Sequence, residues 1–231
     1  MGETEIRLPG IAASSGDCHR TGVLLSAPDL SLPCREPGPA GEELARFNAA
    51  AQQARQELDG LRALVTRRAG EEEAAIFEAH QMMLDDPMLV QKVRKGIENG
   101  QMVEQALVDA TDELARMLAC MTDELFAARF QDVRDVGRRV LRILLGLPDS
   151  ALGNIEVPSI VIANDLTPSD TASLDPALTL GFCTAAGGLT SHSAILARTL
   201  GIPAIVALGD EAGPRHRHRN AADPGRAGWA S

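Results

Sequence analysis

Aromatic residues are scarce in this 231-residue chain, which has no tyrosine, one tryptophan and five phenylalanines. Few side chains are therefore available to stack on single-stranded bases, and the net charge of -10 disfavours nucleic acid and anionic membrane surfaces. The same charge favours a basic protein partner. No apolar run approaches the roughly 18 residues needed to cross a bilayer, and the first residues lack the features of a secretory signal. We expect no nucleic acid, no membrane and a cytoplasmic location.

Cysteine is also rare. Cys18, Cys34, Cys120 and Cys183 are widely scattered and show neither CxxC spacing nor the density of a disulfide-stabilised scaffold. We therefore expect free thiols. Hydrophobic residues nevertheless make up 45% of the chain, which is enough to bury a substantial core in one large or two small domains.

The spacing of apolar residues changes along the chain. Residues 10–13 and 22–25 are short apolar runs bounded by glycine or proline and predict two small strands. After the breaker CREPGPAG at 34–41, apolar residues recur every three or four positions as far as about residue 146. This spacing predicts an all-helical domain of short-connected amphipathic helices.

Short apolar runs return in the last third of the chain, at residues 159–163, 178–184 and 204–208. Two helical stretches separate them, the first opened by Pro168 and the second closed by Gly201, so the region predicts a β-α-β-α-β order.

The simplest architecture is a discontinuous α/β domain, residues 1–36 and 147–210, interrupted by a helical domain at 37–146. Residues 211–231 are basic, contain proline and show no apolar pattern. They predict a disordered tail.

A glycine-rich loop leads into the second helical stretch at Gly187-Gly188-Leu189-Thr190-Ser191-His192. Two glycines allow a tight turn and close backbone approach to a ligand, and Thr190 or Ser191 can cap the helix. Such a helix start binds anions. In the first turn, His192 would be a neutral nucleophile whose phosphoryl adduct the helix dipole stabilises.

Three other interpretations of His192 are a polar residue at a helix start, a metal ligand and a hydrolase residue. No second histidine, cysteine or acidic residue lies beside it at ligand spacing, which disfavours a metal. No GxSxG motif surrounds Ser191, and adjacent side chains seldom form a triad, which disfavours a hydrolase.

The stretch GGLTSHSAILARTLGIPAIV, residues 187–206, resembles the phosphohistidine signature of enzymes that pass phosphoryl groups from phosphoenolpyruvate. Dikinases and synthases share this signature. DLTPSDTA at 165–172, AIFEAH at 75–80 with MMLDD at 82–86, and DVRDVG at 132–137 resemble one member, enzyme I of the sugar phosphotransferase system, free or within a fused multiphosphoryl transfer protein.

The resemblance to enzyme I implies a swivelling phosphohistidine α/β domain, without its last strands here, and an inserted helical domain that docks the phosphocarrier HPr. It implies that His192 carries the phosphoryl group and that Thr171 hydrogen-bonds this histidine. We expect the helix-start amides and Arg198 to offset phosphate charge. The implied HPr-binding positions are Glu71, Glu72, His80, Met82, Met83, Leu84, Asp86, Leu89 and Arg129.

Enzyme I continues through further strands, a linker and a β/α barrel that binds phosphoenolpyruvate and Mg²⁺. No such pattern follows Asp210, so we expect a truncated or frame-shifted chain, no cofactor within it and no reaction with phosphoenolpyruvate alone. Two alternatives stay open. One is an HPr-docking module without turnover, and the other is a fragment of a dikinase-like enzyme.

Overall fold

The computed structural model describes residues 10–16, 22–24, 30–120, 124–148, 155–189 and 191–209, with backbone alone at residue 24 and residues 124–128. The chain divides into two compact units. The α/β unit comprises Met1–Ala27, Leu64–Glu73 and Ser150–Ser231, and the helical unit comprises Pro28–Ala63 and Ala74–Asp149. The predicted disordered tail lies outside the described residues.

Within the described residues, five α-helices follow one another between the second and third strands. They are α1 (Ala40–Arg68), α2 (Glu71–Leu84), α3 (Pro87–Glu98), α4 (Val103–Ala119) and α5 (Glu124–Leu144). Each contributes an apolar face at three- and four-residue spacing to the core. Its buried members include Phe47, Ala54, Leu58, Phe77, Leu84, Leu89, Val93, Ile97, Leu107, Val136 and Val140.

Local sequence sets the helix ends. Asp86 caps α3 by accepting a hydrogen bond from the Met88 amide at 2.7 Å, and Pro87 occupies the first turn, where no amide hydrogen is needed. Beyond the last turn of α3, Gly100 adopts a positive φ of 88°. Left-handed backbone of this kind favours glycine, which explains why the helix stops there.

An ionic cluster ties the segment before α1 to α1 and α4. Arg35 contacts both Glu43 and Glu104, with N···O distances of 2.5 and 2.6 Å, and Arg46 lies 3.1 Å from Glu43 and 2.6 Å from Glu104. The amides of Gly38 and Val103 also donate to the Glu43 carboxylate. Both glutamates are buried, and these partners compensate their loss of water.

Helices α4 and α5 approach closely at Gly137. A Cβ atom on this residue would lie 2.5 Å from Thr111 Cγ2 and 3.0 Å from Thr111 Cβ. The Thr111 hydroxyl is satisfied within its own helix by the carbonyls of Leu107 and Val108. Gly137 is therefore a packing residue at which any larger side chain displaces one helix from the other.

The α/β unit contains a mixed sheet of β1 (Ile11–Ser14), β2 (Gly22–Leu24), β3 (Ser159–Ala163), β4 (Thr179–Thr184) and β5 (Ala204–Val206). In the described residues the strand order is β1-β5-β4-β3-β2. Strands β2, β3, β4 and β5 run parallel to one another, whereas β1 pairs antiparallel with β5. The crossover helices are α6 (Pro168–Ser173) and α7 (His192–Leu200).

Alternate residues of the strands face opposite sides of the sheet. Val161, Ala163 and Phe182 point to one side, where Ala194 and Ala197 of α7 complete the core. Ile160 and Cys183 belong to a smaller cluster with Leu208. The layer of α7 on the parallel sheet therefore sets the position of the loop between β4 and α7.

The predicted architecture, an α/β domain interrupted in sequence by an all-helical domain, is confirmed. Cys34 and Cys120 are free and exposed and Cys183 is buried, whereas Cys18 lies outside the described residues. No helix among the residues that the structure describes is long and apolar enough to cross a membrane.

Candidate functional site

The loop before His192 begins at the carboxyl end of β4. The Thr184 hydroxyl donates to the Ala186 carbonyl at 2.7 Å, and the Ala186 amide donates to the carbonyl of Asn164, just after β3, at 2.8 Å. These bonds join the turns that follow two adjacent parallel strands. The carboxyl edge of a parallel sheet is where α/β folds place their ligands.

Gly187 then turns the chain with a φ of 93°, which L side chains rarely adopt. A Cβ atom here would stand 3.7 Å from both Asp165 Oδ1 and Thr184 Oγ1, so these polar atoms lie beside the turn. The Ser191 amide donates to the Gly188 carbonyl at 3.0 Å. Thr190, between them, lies outside the described residues.

Ser191 is the N-cap of α7. Its hydroxyl accepts a hydrogen bond from the Ala194 amide at 3.2 Å and lies 3.0 Å from the hydroxyl of buried Ser193. Of the two capping residues that the sequence allowed, the structure thus uses Ser191 in this role. The cap fixes the start of α7 and hence the position of the next residue.

His192 is the first residue of α7 and is exposed. The positive end of the helix dipole lies at this turn, together with amides that have no intrahelical carbonyl partner. An exposed imidazole in such a field can attack an electrophile such as phosphorus and can then carry a negatively charged group.

Thr171 lies on α6, which packs against α7, and is completely buried. Its hydroxyl donates to the Thr167 carbonyl of its own helix at 3.0 Å, and no hydrogen bond to His192 occurs in the described part of the chain. The N-cap Thr167 forms a capping box with Asp170. The expected bond from Thr171 to His192 therefore stays a prediction.

Arg198, two turns along α7 from His192, contacts the loop. Its Nη2 donates to the Leu189 carbonyl at 3.1 Å. The guanidinium thus links the end of the helix to the loop that precedes it. The sequence did not reveal this contact. It also did not single out Asp165, whose Oδ1 lies beside Gly187, or Ser193, whose hydroxyl lies beside that of Ser191, although both residues belong to the quoted motifs.

The predicted HPr-docking residues differ in how far their side chains are exposed. Met82 is 69% exposed, Asp86 and Arg129 are exposed, and Met83 is half-buried. Glu71 and Glu72, at the start of α2, are exposed and fall within the α/β unit. The exposed thioether of Met82 suits an adaptable protein contact.

Three predicted docking residues lie beneath the surface instead. His80 is 1% exposed, and Leu84 and Leu89 are each 3% exposed, because they belong to the packed faces of α2 and α3. Direct contact of these side chains with a partner would need repacking of the core. In this structure these three side chains belong to the core of the helical unit, on the buried faces of the helices that carry the exposed docking positions.

Residues 9–129 match the family described as PEP-utilising enzyme, N-terminal, and residues 155–218 match PEP-utilising enzyme, mobile domain. The chain belongs to the PEP-utilising enzymes, and within them to the enzyme I proteins.

Curated relatives named phosphoenolpyruvate-protein phosphotransferase include that of Staphylococcus carnosus, 40% identical over 87% of this chain, and that of Listeria innocua, 43% identical over 86%. The chain spans about a third, 35%, of the length of each. A solution structure of an enzyme I protein, nEIt, is 36% identical with a TM-score of 0.72, and the match covers 89% of this chain and 84% of that chain. The N-terminal domain of a nitrogen enzyme 1 shares the fold, with a TM-score of 0.63 at 23% identity.

Proposed function

We propose that this chain is a phosphoryl carrier of the sugar phosphotransferase system, in which His192 exchanges a phosphoryl group with HPr. The single observation that supports this most directly is the exposed imidazole at the first position of α7, behind the left-handed turn at Gly187. The enzyme I relatives supply the reaction class, because they are named as protein phosphotransferases that use phosphoenolpyruvate.

In the proposed transfer, an imidazole nitrogen of His192 attacks the phosphorus of phosphorylated HPr. A bond from this nitrogen to phosphorus forms as the bond to HPr breaks, and the bonding electron pair leaves with HPr. Positioning and charge stabilisation carry such a transfer, because the protein has little covalent chemistry to perform. The first-turn amides of α7 stabilise the charge, and Thr171 and Arg198 are proposed to assist His192.

The docking of HPr is assigned to the helical insertion. Exposed Met82, half-buried Met83 and exposed Asp86 give an apolar patch with a charged edge near the end of α2. Such a patch suits a partner that binds transiently and leaves after transfer. Glu71, Glu72 and Arg129 add charges that can guide the approach of HPr.

Phosphoenolpyruvate and Mg²⁺ are assigned to the barrel of full-length enzyme I. Within the described residues, no group of three or more His, Cys, Asp or Glu side chains could hold a metal ion. No step through Mg²⁺ is therefore assigned to this chain. We propose that the chain accepts phosphate from HPr but cannot start the sequence from phosphoenolpyruvate.

This proposal predicts different results with two phosphoryl donors. Incubation with radiolabelled phospho-HPr should give acid-labile label on His192, whereas labelled phosphoenolpyruvate with Mg²⁺ should give only background. A His192→Ala variant is the control and should stay unlabelled with both donors. Efficient labelling from phosphoenolpyruvate alone would contradict the proposal. Binding of HPr without any label would favour a docking module, and absence of HPr binding would favour a dikinase-like fragment.

A further inference from the structure

His80 is a buried histidine that faces two carboxylates. Its Nε2 lies 3.5 Å from Asp132 Oδ1 and its Nδ1 lies 3.7 Å from Asp135 Oδ2. Neither ring nitrogen has a hydrogen-bond partner in the described residues. The edge of the ring packs against Phe77, with ring centroids 6.3 Å apart at an interplanar angle of 78°.

The two carboxylates beside the His80 ring favour an imidazole that presents an N–H donor to each of them. A neutral imidazole has one N–H donor, so its second nitrogen would present a lone pair to a carboxylate. A ring protonated on both nitrogens offers one N–H to each acid. Burial of polar groups without partners is costly, so a small shortening of both N···O distances into hydrogen-bond range stabilises the cluster.

The two acids are placed to act together. Asp132 and Asp135 are three residues apart on α5 and therefore share one helix face, which α2 covers at His80. The intervening Arg134 faces elsewhere and lies 3.6 Å from Asp112 of α4. The segment DVRDVG thus contacts two different helices, and its two aspartates share one histidine.

We propose that His80 is a positioning residue, protonated on both ring nitrogens, which binds Asp132 and Asp135 and thereby holds the HPr-docking end of α2 on α5. Met83 lies one turn after His80 on α2, and Arg129 lies one turn before Asp132 on α5. The cluster therefore joins the two elements that carry the proposed docking residues. This inference rests on the proposed function for its link to HPr, but not for the state of the ring.

The state of the ring is tested by ¹⁵N NMR of the His80 side chain in the full chain at pH 6. We expect both nitrogens in the protonated range, with both N–H protons protected from solvent exchange. D132N should move the Nε2 signal most and D135N the Nδ1 signal most. D112N, which removes the partner of Arg134, should leave both signals in place. One unprotonated nitrogen in the wild type, or equal responses to D112N and D132N, would overturn the proposal.

The link to docking is tested by HPr titration of the same variants. The combined D132N/D135N variant should bind HPr about fivefold or more weakly, because a displaced α2 end misplaces the docking residues. D112N should bind within about twofold of the wild type. H80Q tests the ring directly, and the aspartate variants remain informative if it fails to fold. Unchanged affinity in D132N/D135N would refute the link to docking. Failure of the wild type to bind HPr would refute the proposed function, whereas the NMR result would stand.

Discussion

Glu43 illustrates how much a single buried carboxylate holds together in the helical unit. It accepts hydrogen bonds from the guanidinium groups of Arg35 and Arg46 and from the amides of Gly38 and Val103. The hydrogen bonds from Arg35 outweigh the opposing effect of burial and lower the pKa of Glu43 to about 2. Neighbouring Glu104 also has a lowered pKa: its burial opposes the shift, but the hydrogen bond from Arg46 and its other contacts prevail.

We predict that Glu43→Gln destabilises the helical unit by about 3 kcal/mol at neutral pH, because Arg35 and Arg46, which are partly buried, then lose one of their two carboxylate partners. The pKa of Glu43 is lower in the folded than in the unfolded chain, so its stabilisation is full above about pH 4.5 and is lost as the pH falls towards about 2. Denaturant unfolding followed by circular dichroism at several pH values would measure this. The difference in the free energy of unfolding between wild type and variant should become smaller as the pH falls from about 4.5 towards about 2.

Glu113→Gln is the matched control for this prediction. Glu113 also has a lowered pKa, caused first by its hydrogen bond with Lys92, but it is an exposed carboxylate. Surface ion pairs contribute little to stability, so this variant should unfold like the wild type. If the difference in the free energy of unfolding between wild type and Glu43→Gln stayed constant from pH 7 to pH 2, the stabilising role of the ionised Glu43 carboxylate would be refuted.

At the scale of the element, the ends of helices follow from local chemistry whereas their distances from one another follow from packing. Asp86-Pro87 and Thr167-Pro168 start α3 and α6, and Gly201 ends α7 in a left-handed conformation with a φ of 67°. All three were readable as start and stop signals. The close approach of α4 and α5 at Gly137 was not, since glycine within a helix indicates a break as readily as a contact.

We predict that Gly137→Ala destabilises the chain by about 1 to 3 kcal/mol, because the new methyl group would overlap Thr111 between two packed helices. Gly60→Ala in α1 is the matched control, since a Cβ atom there meets nothing within 4 Å. It should stabilise by up to about 1 kcal/mol through helix propensity alone. Thermal unfolding should therefore show a lower melting temperature for Gly137→Ala and an equal or higher one for Gly60→Ala than for the wild type. Stabilisation by both substitutions would show that α4 and α5 can separate at no cost.

At the scale of the whole molecule, the proposed acceptor and the proposed docking residues near the end of α2 belong to different compact units. His192 starts α7 in the α/β unit, and Met82 lies in the helical unit. We therefore expect binding of HPr and acceptance of its phosphoryl group to be separable by substitution. An enzyme built in this way can retain affinity when its chemistry is lost.

We predict that His192→Ala binds HPr within about twofold of the wild type, since the acceptor and the docking residues near the end of α2 belong to different compact units. Met82→Asp should weaken binding by about fivefold or more, because it places a charge in the exposed apolar patch. Val157→Asp, which changes an exposed apolar residue of the α/β unit, is the control and should bind normally. Isothermal titration of the three variants decides this. Loss of binding in His192→Ala would place the docking surface at the acceptor instead.

Sequence alone determined the features of this protein that depend on near neighbours in the chain. The change of apolar spacing separated helices from strands, the prolines and glycines marked their ends, and GGLTSH marked the start of α7 with His192 in its first turn. These features are encoded within a few residues, where side-chain volume, backbone conformation and missing amide hydrogens act directly.

Tertiary structure decided everything that depends on which residues meet across the chain. The antiparallel pairing of β1 with β5, the burial of His80 between Asp132 and Asp135, and the bond from Arg198 to the Leu189 carbonyl have no local signature. The resemblance implies that His80, Leu84 and Leu89 take part in docking, whereas packing buries all three side chains, which the sequence did not show. Periodicity reveals that a helix has an apolar face, whereas the partner that covers it is chosen by the long-range packing of the whole core.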